Sequence, residues 1–286
     1  MNIEKTMVPM EDGVRLFTYV FLPEGPGPFR TVFVRTPYDL APAPEVTAQR
    51  ARDVEGFINA GFAVALQHCR GRGGSEGEFV PFRGEREDGL TTLAWIQKQG
   101  WYGGEVYLWG VSYHAFAHMA YLAQAPDCVK GAALCVMCPD GSKAFFKNGA
   151  YKADLAPIWF MEMYKHEDLV HESSEETYRR EFFKYPMSEF AQRAYGHPVP
   201  AFDDFLKLEE DPMACPGGFS QARGAMGGCR VPVLLHGGWG EMFLGGMADM
   251  WGELPEDVRE KSAFLVGPWA HTLAIEPAWA YNFENA

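Results

Sequence analysis

The 286-residue chain is predicted to be an α/β protein: a mainly parallel, doubly wound sheet with an inserted helical cap. Three observations lead there. Short β-prone runs alternate with helix-length segments up to about residue 140. From there to about 225, short helices and aromatic-rich loops replace the alternation, and two further apolar runs then restore it. Residues 1–139 and 226–286 are therefore expected to form the core, with 140–225 as the cap.

The elements follow in order. Residues 7–23 alternate and then turn apolar through Val14–Leu22, as a β-hairpin leading into a core does, and Glu24-Gly-Pro-Gly-Pro28 is a turn. Thr31–Val34 is a strand ended by Thr36-Pro37-Tyr38, and 45–60 fit a helix. Phe62–Leu66 is a buried strand leading to the glycine-rich Arg70–Gly77. Residues 85–99 are helical, with apolar Leu90, Leu93, Ala94 and Ile96. Val106–Trp109 is a strand, Ala115–Ala125 a helix and Gly131–Met137 a strand. The cap holds Phe145-Phe146, Ile158–Met161, Tyr164, Phe182-Phe183, Phe190 and Phe202, with Glu167–Arg180 on a solvated helix face. Pro212, Pro216-Gly217-Gly218 and Gly227-Gly228 mark its exit. Val231–Leu235 and Ala263–Val266 return to the sheet, with a helix over 241–253 between them.

A net charge of −13 and a pI near 5.1 exclude binding of nucleic acid or anionic membrane through a basic face. No apolar run reaches the length of a spanning helix, and Met1–Lys5 lead into no secretory h-region. A cytoplasmic location with reduced thiols is expected. Among six cysteines, Cys135 and Cys138 have CxxC spacing without a matching second pair, and read as small buried hydrophobes.

The chemistry centres on Gly110-Val-Ser112-Tyr113-His114, a serine between a β-prone run and a helix. Such a turn presents a hydroxyl beside backbone N–H groups, although the second glycine of G-x-S-x-G is here His114. A plain turn serine is the alternative. Serine needs a base, and among eight histidines His271 follows the last apolar run, in Gly267-Pro-Trp-Ala-His271. His166, His171 and His197 fall in the cap and read as surface or structural. The orienting acid should follow the preceding strand, which makes Glu241 the candidate and Asp249 the backup; Glu241 also suits a helix N-terminus. The order Ser112, Glu241, His271 is that of α/β-hydrolases. His236-Gly237-Gly238 is no lipase-type oxyanion loop, because that loop precedes the elbow.

These residues resemble the Xaa-Pro dipeptidyl-peptidase/cocaine esterase family of serine hydrolases. The matching segments are Arg35–Tyr38, Gln67 with Arg70–Phe79, Trp95-Ile96 with Gln99–Trp101, Gly110–Tyr113, Gly238–Phe243 and Gly267–His271. The resemblance implies that Ser112 attacks, His271 shuttles the proton and residue 241 orients the imidazole. It also implies an oxyanion hole made of the Tyr38 phenol and the Tyr113 backbone N–H. Three positions depart from the family: Glu241 and His68 stand where it usually has aspartate, and His114 where a small residue is common. The family's C-terminal jelly-roll is not expected, since 15 of the 286 residues follow His271. An open cleft, or a homo-oligomer whose partner subunit covers it, follows from that expectation.

The expected function is hydrolysis of carboxylic esters of fairly hydrophobic, uncharged acyl groups through a serine acyl-enzyme. His114, Trp159, Phe243 and Trp269 are expected to line the substrate site. Amide or Xaa-Pro peptide cleavage, acyl transfer, or an inactive hydrolase-like binding protein are the alternatives. The partner is a small-molecule ester or amide, and the chemistry needs no metal or organic cofactor.

Overall fold

Why a sheet forms is plain from Ala63–His68, whose six residues Ala-Val-Ala-Leu-Gln-His are all buried, as an interior strand covered on both faces must be. The computed structural model describes residues 1–39, 44–152, 156–163, 168–210 and 219–271. Tyr164, His166, Glu167, Pro212 and the turn at 216–218, all read above, lie outside the described residues, as does the chain after His271.

In chain order the strands are β1 (Asn2–Pro9), β2 (Arg15–Leu22), β3 (Phe29–Thr36), β4 (Ala63–His68), β5 (Tyr102–Val111), β6 (Val129–Cys135), β7 (Phe146–Lys147), β8 (Ala150–Tyr151), β9 (Val233–Gly238) and β10 (Ala263–Gly267). Eight of them form one sheet in the order β1-β2-β4-β3-β5-β6-β9-β10. The predicted hairpin is β1–β2, antiparallel with Asn2 opposite Leu22. β2 pairs antiparallel with β4, and every later pairing in this sheet is parallel. The sheet strand predicted over 231–235 starts at Val233 and continues through Gly238.

Helices α1 (Pro44–Asn59), α2 (Glu85–Ile96) and α3 (Tyr113–Met119) follow β3, β4 and β5. α1 covers one face through Val54 and Ile58, which pack on Tyr19, Phe21, Val32 and Val64. The chain steps from β3 to β4 in one direction and then back past β3 to β5. The carboxyl ends of the neighbours β3 and β5 therefore flank a topological switch point, where such sheets open a crevice.

Between β6 and β9 come α4 (Gly141–Phe145), α5 (Ala156–Met163), α6 (Ser174–Glu181), α7 (Phe190–Tyr195) and α8 (Pro200–Leu206); α9 (Leu244–Glu253) and α10 (Glu256–Arg259) follow β9. The short helices and aromatic-rich loops expected here also include the β7–β8 hairpin. Its turn residues Asn148 and Gly149 both have positive φ, 53° and 80°, the conformation that favours Asn-Gly in two-residue hairpins. The inserted segment shares one continuous apolar core with the sheet: Phe160, Phe202 and Phe219 belong to the same cluster as Leu108 and Leu134.

Under the crevice lies a buried ion pair. Arg35 on β3 is fully buried and donates through Nε and Nη2 to Glu85 Oε2 on α2, at 3.1 and 2.8 Å, and through Nη1 to Gln67 on β4 at 2.5 Å. Removing Glu85 takes away the two shortest ionic bonds of the guanidinium and leaves Asp88 Oδ2, 3.6 Å from Nη2, as its remaining carboxylate, which places the cost at the low end of the about 3–5 kcal/mol of a broken buried pair. Glu85→Ala is accordingly expected to lose that much in urea-denaturation stability, whereas Glu55→Ala on the exposed face of α1 should change it by less than about 0.5 kcal/mol.

Candidate active site

The turn after β5 is strained in the way a presented serine requires. Ser112 has φ 57° and ψ −127°, a conformation few non-glycine residues adopt. Its N–H donates to the Cys135 carbonyl at 2.9 Å, and its own carbonyl accepts from Ala115 N–H at 2.9 Å, so the strain is held from both sides. Gly110 is required for close approach, because a Cβ there would lie 2.3 Å from the His114 carbonyl carbon. His118 ties α3 back to β5: its Nε2 lies 3.1 Å from the Trp109 carbonyl and its Nδ1 2.5 Å from the Tyr121 hydroxyl.

The loops after β9 and β10 are stitched together by backbone bonds. Trp239 N–H donates to the Gly267 carbonyl at 2.9 Å and Gly240 N–H to the Trp269 carbonyl at 3.2 Å. Trp269 Nε1–H donates to the Gly237 carbonyl at 2.7 Å, and its ring fills space that a Cβ on Gly267 would need. These bonds carry Glu241 and His271 to the same place. His271 Nδ1 is 2.9 Å from Glu241 Oε2, and His271 Nε2 is 2.9 Å from Ser112 Oγ. A carboxylate only accepts, so the ring proton sits on Nδ1 and leaves Nε2 to accept the serine proton. Glu241 Oε1 accepts Phe243 N–H at 3.0 Å, which holds the carboxylate in place. Asp249, the other candidate, instead forms an ion pair with Lys143.

Tyr38 follows β3 and reaches the elbow: its hydroxyl lies 3.3 Å from the Tyr113 backbone nitrogen, whose N–H points at it. Burial raises its pKa above the usual value, so the phenol keeps its proton at neutral pH. The Pro37 carbonyl accepts from Arg72 Nε at 2.5 Å, and Arg72 Nη1 donates to the Met163 carbonyl at 3.1 Å. One guanidinium thus joins the Tyr38 loop to the end of α5, the helix that carries Trp159. Tyr113 is anchored from beneath, its hydroxyl donating to Glu85 Oε1 at 2.9 Å and accepting Phe82 N–H at 2.7 Å.

Beside Ser112 is an apolar cavity of about 30 Å³, lined by Phe82, Ser112, Tyr113, Met137, Phe145, Trp159, Phe243 and His271. Trp159 and Phe243, two of the four residues expected to line the substrate site, lie on this wall. His114 and Trp269 are not on this wall, and both expectations are corrected. The His114 ring turns under Tyr38, with its Nε2 2.9 Å from Thr36 Oγ1 and its centroid 5.0 Å from the Tyr38 ring. It points there because residue 114, in the first turn of α3, lies on the side of the helix that faces β3. Trp269 is spent on the β9–β10 stitch.

Sequence reasoning missed Phe82, Met137 and Glu85. Phe82 has φ 65°, an outlier for a bulky residue, and its ring is the hub for Tyr113, Phe116, Phe145, Trp159, Phe205 and Phe219. No local periodicity signals such a residue. Glu85 reads in sequence as an acidic residue in the first turn of a helix, and only the fold puts it under Tyr113. His68, where the resemblance put aspartate, is buried with Nε2 2.7 Å from Asp39 Oδ2, and Arg50 bonds both Asp39 oxygens. Burial works to raise the Asp39 pKa, but those donors hold it well below the usual carboxylate range. Cys135 and Cys138 are buried free thiols, pushed up to about 11 and about 12 by desolvation.

This sheet order and this meeting of strand ends define the α/β-hydrolase fold. The family described as X-Pro dipeptidyl-peptidase (S15 family) matches residues 12–273, and the chain belongs to it. Cocaine esterase of Rhodococcus sp. (strain MB1 Bresler) is 43% identical over 107 residues, 37% of this chain and 18% of that protein. The structure of an α-amino acid ester hydrolase superposes with a TM-score of 0.70 at 23% identity, covering 95% of this chain and 48% of that one. An aminopeptidase from a marine-sediment thaumarchaeon gives 0.66 at 19% identity, over 94% of this chain and 48% of that one. The chain therefore spans less than half the length of these relatives. Among the described residues no helix is long and apolar enough to cross a membrane.

His118 makes a pH test of the elbow's support. Burial, with a smaller push from Arg35, lowers its pKa from 6.5 to about 3. The unfolded chain then binds a proton that the folded chain refuses. The contribution is whole above pH 6.5 and lost as pH falls toward about 3, with a slope of up to about 1.4 kcal/mol per pH unit. Urea midpoints of wild type and His118→Gln should therefore converge on acidification; a constant difference between them would refute this.

Proposed function

We propose that the protein is a serine carboxylesterase acting on esters with uncharged, apolar acyl groups. The observation that carries this reading is the pair of 2.9 Å contacts linking Ser112 Oγ, His271 and Glu241 Oε2. In this reading the three residues form the catalytic triad. Ser112 Oγ adds to the ester carbonyl as its proton passes to His271 Nε2, and Glu241 stabilises the imidazolium and keeps its orientation. The negative charge that develops on the carbonyl oxygen is met by the Tyr38 O–H and by the Tyr113 N–H, which exchanges its contact with the Tyr38 oxygen for the substrate oxygen. His271 then protonates the leaving alkoxide. Water delivers its proton to the same nitrogen as it attacks the acyl-enzyme, and His271 returns that proton to Ser112 Oγ as the acid leaves. The apolar lining supports an uncharged acyl group, since a buried carboxylate would find no partner there.

The test is a burst experiment with p-nitrophenyl acetate. A burst of nitrophenol stoichiometric with enzyme, abolished in Ser112→Ala, together with fluorophosphonate labelling mapped to Ser112, is the expected result. Labelling at another residue would overturn the nucleophile. Glu241→Gln should reduce kcat far more than Asp249→Asn, and equal, slight losses would remove Glu241 from the triad. Tyr38→Phe is expected to lower kcat by about 10²–10³-fold with little change in KM, as loss of an oxyanion donor does.

A further inference from the structure

The dimensions of the acyl cavity carry the reading further. It holds about 30 Å³. An apolar cavity of about 150 Å³ binds a benzene ring, and a single water needs about 10–15 Å³ of such space. Room remains for a methyl or ethyl group beyond the carbonyl carbon, and none for an aryl ring or a longer chain. The walls are braced against expansion. Phe82 stacks on Tyr113 at 4.8 Å and on Trp159 at 5.4 Å, and Phe145 meets Phe205 edge-on at 4.9 Å. Close-packed aromatics of this kind resist overfilling, because each ring that moves displaces another.

A second cavity, of about 700 Å³, is lined by Lys143, Lys147, Lys152, Glu241 and Met242. Phe243 lines the small cavity and packs against Lys152, which lines the large one. Its ring is 5.5 Å from the His271 ring, and the Lys152 ammonium lies 5.5 Å from its ring centroid.

We propose that the acyl site selects acetyl and propionyl groups by size, with Phe243 as the wall that closes it off from the lysine-lined cavity. This rests on the acyl-enzyme reading of Ser112. Removing the Phe243 ring joins the two spaces, and the chain of a longer acyl group then extends past the catalytic histidine toward the lysines.

The test uses p-nitrophenyl acetate, propionate, butyrate, hexanoate and benzoate, which share one leaving group. Each longer ester is run in competition with acetate in a single sample, so that the rate ratio does not depend on how much protein is folded. In wild type, hexanoate and benzoate should fall at least about ten-fold below acetate in kcat/KM. In Phe243→Ala the hexanoate/acetate ratio should rise at least about ten-fold, and Phe145→Ala provides a second opening of the same cavity. Hexanoate or benzoate turned over as well as acetate by wild type, with all activity lost in Ser112→Ala, would overturn size selection and leave the esterase reading intact. Selection in wild type that neither variant relaxes would overturn the wall. No turnover of any ester would overturn the esterase reading and this inference together.

Discussion

Glu85 is the point on which the rest of the site depends. One carboxylate, 2% exposed, accepts from Arg35 on β3 with one oxygen and from the Tyr113 hydroxyl with the other. It therefore couples the sheet, α2 and the residue next to the serine in a single buried contact. Inside a protein such charge-assisted bonds are stiff and costly to break, which is what a strained turn needs beneath it. The unfavourable φ of Ser112 persists because Glu85 and Phe82 hold Tyr113 below while Cys135 holds the serine amide.

The other half of the site is held by a different device. Glu241 and His271 lie on loops that follow parallel edge-side strands, and backbone bonds between those loops and the indole of Trp269 hold them together. Glycines at 238 and 267 permit the approach, because a Cβ on Gly238 would lie 2.0 Å from the Trp269 carbonyl oxygen. The carboxylate and the imidazole are thus placed by backbone geometry, with the side-chain contact between them as its consequence. Tyr38 is held by a third route, through Arg72 and the ring of His114. Three supports meet at one hydroxyl, each from a different strand end of the same sheet.

Much of this was legible along the chain. The alternation of strands and helices is local and periodic; the runs at 31–34, 106–109 and 263–266 fall within strands of the sheet, and so does that at 62–66 except for Phe62. The setting of Ser112 between a strand and a helix is equally local. Asn148-Gly149 was also legible as a hairpin turn, but the aromatic density around it masked the signal. The misplacement of His114 and Trp269 has a common cause. Both lie beside site residues in sequence, yet adjacent side chains on a helix or a tight turn point in different directions.

By itself, then, the sequence determined the fold class, the serine turn and the order of the residues around it, since each is written in neighbouring residues and their periods. The tertiary structure alone decided which carboxylate meets the imidazole, what lies under Tyr113 and how large the acyl cavity is. Those depend on contacts across the chain, such as the 159 positions that separate Ser112 from His271. A cavity's volume is set by the rotamers of rings on several elements at once, and no local pattern encodes it.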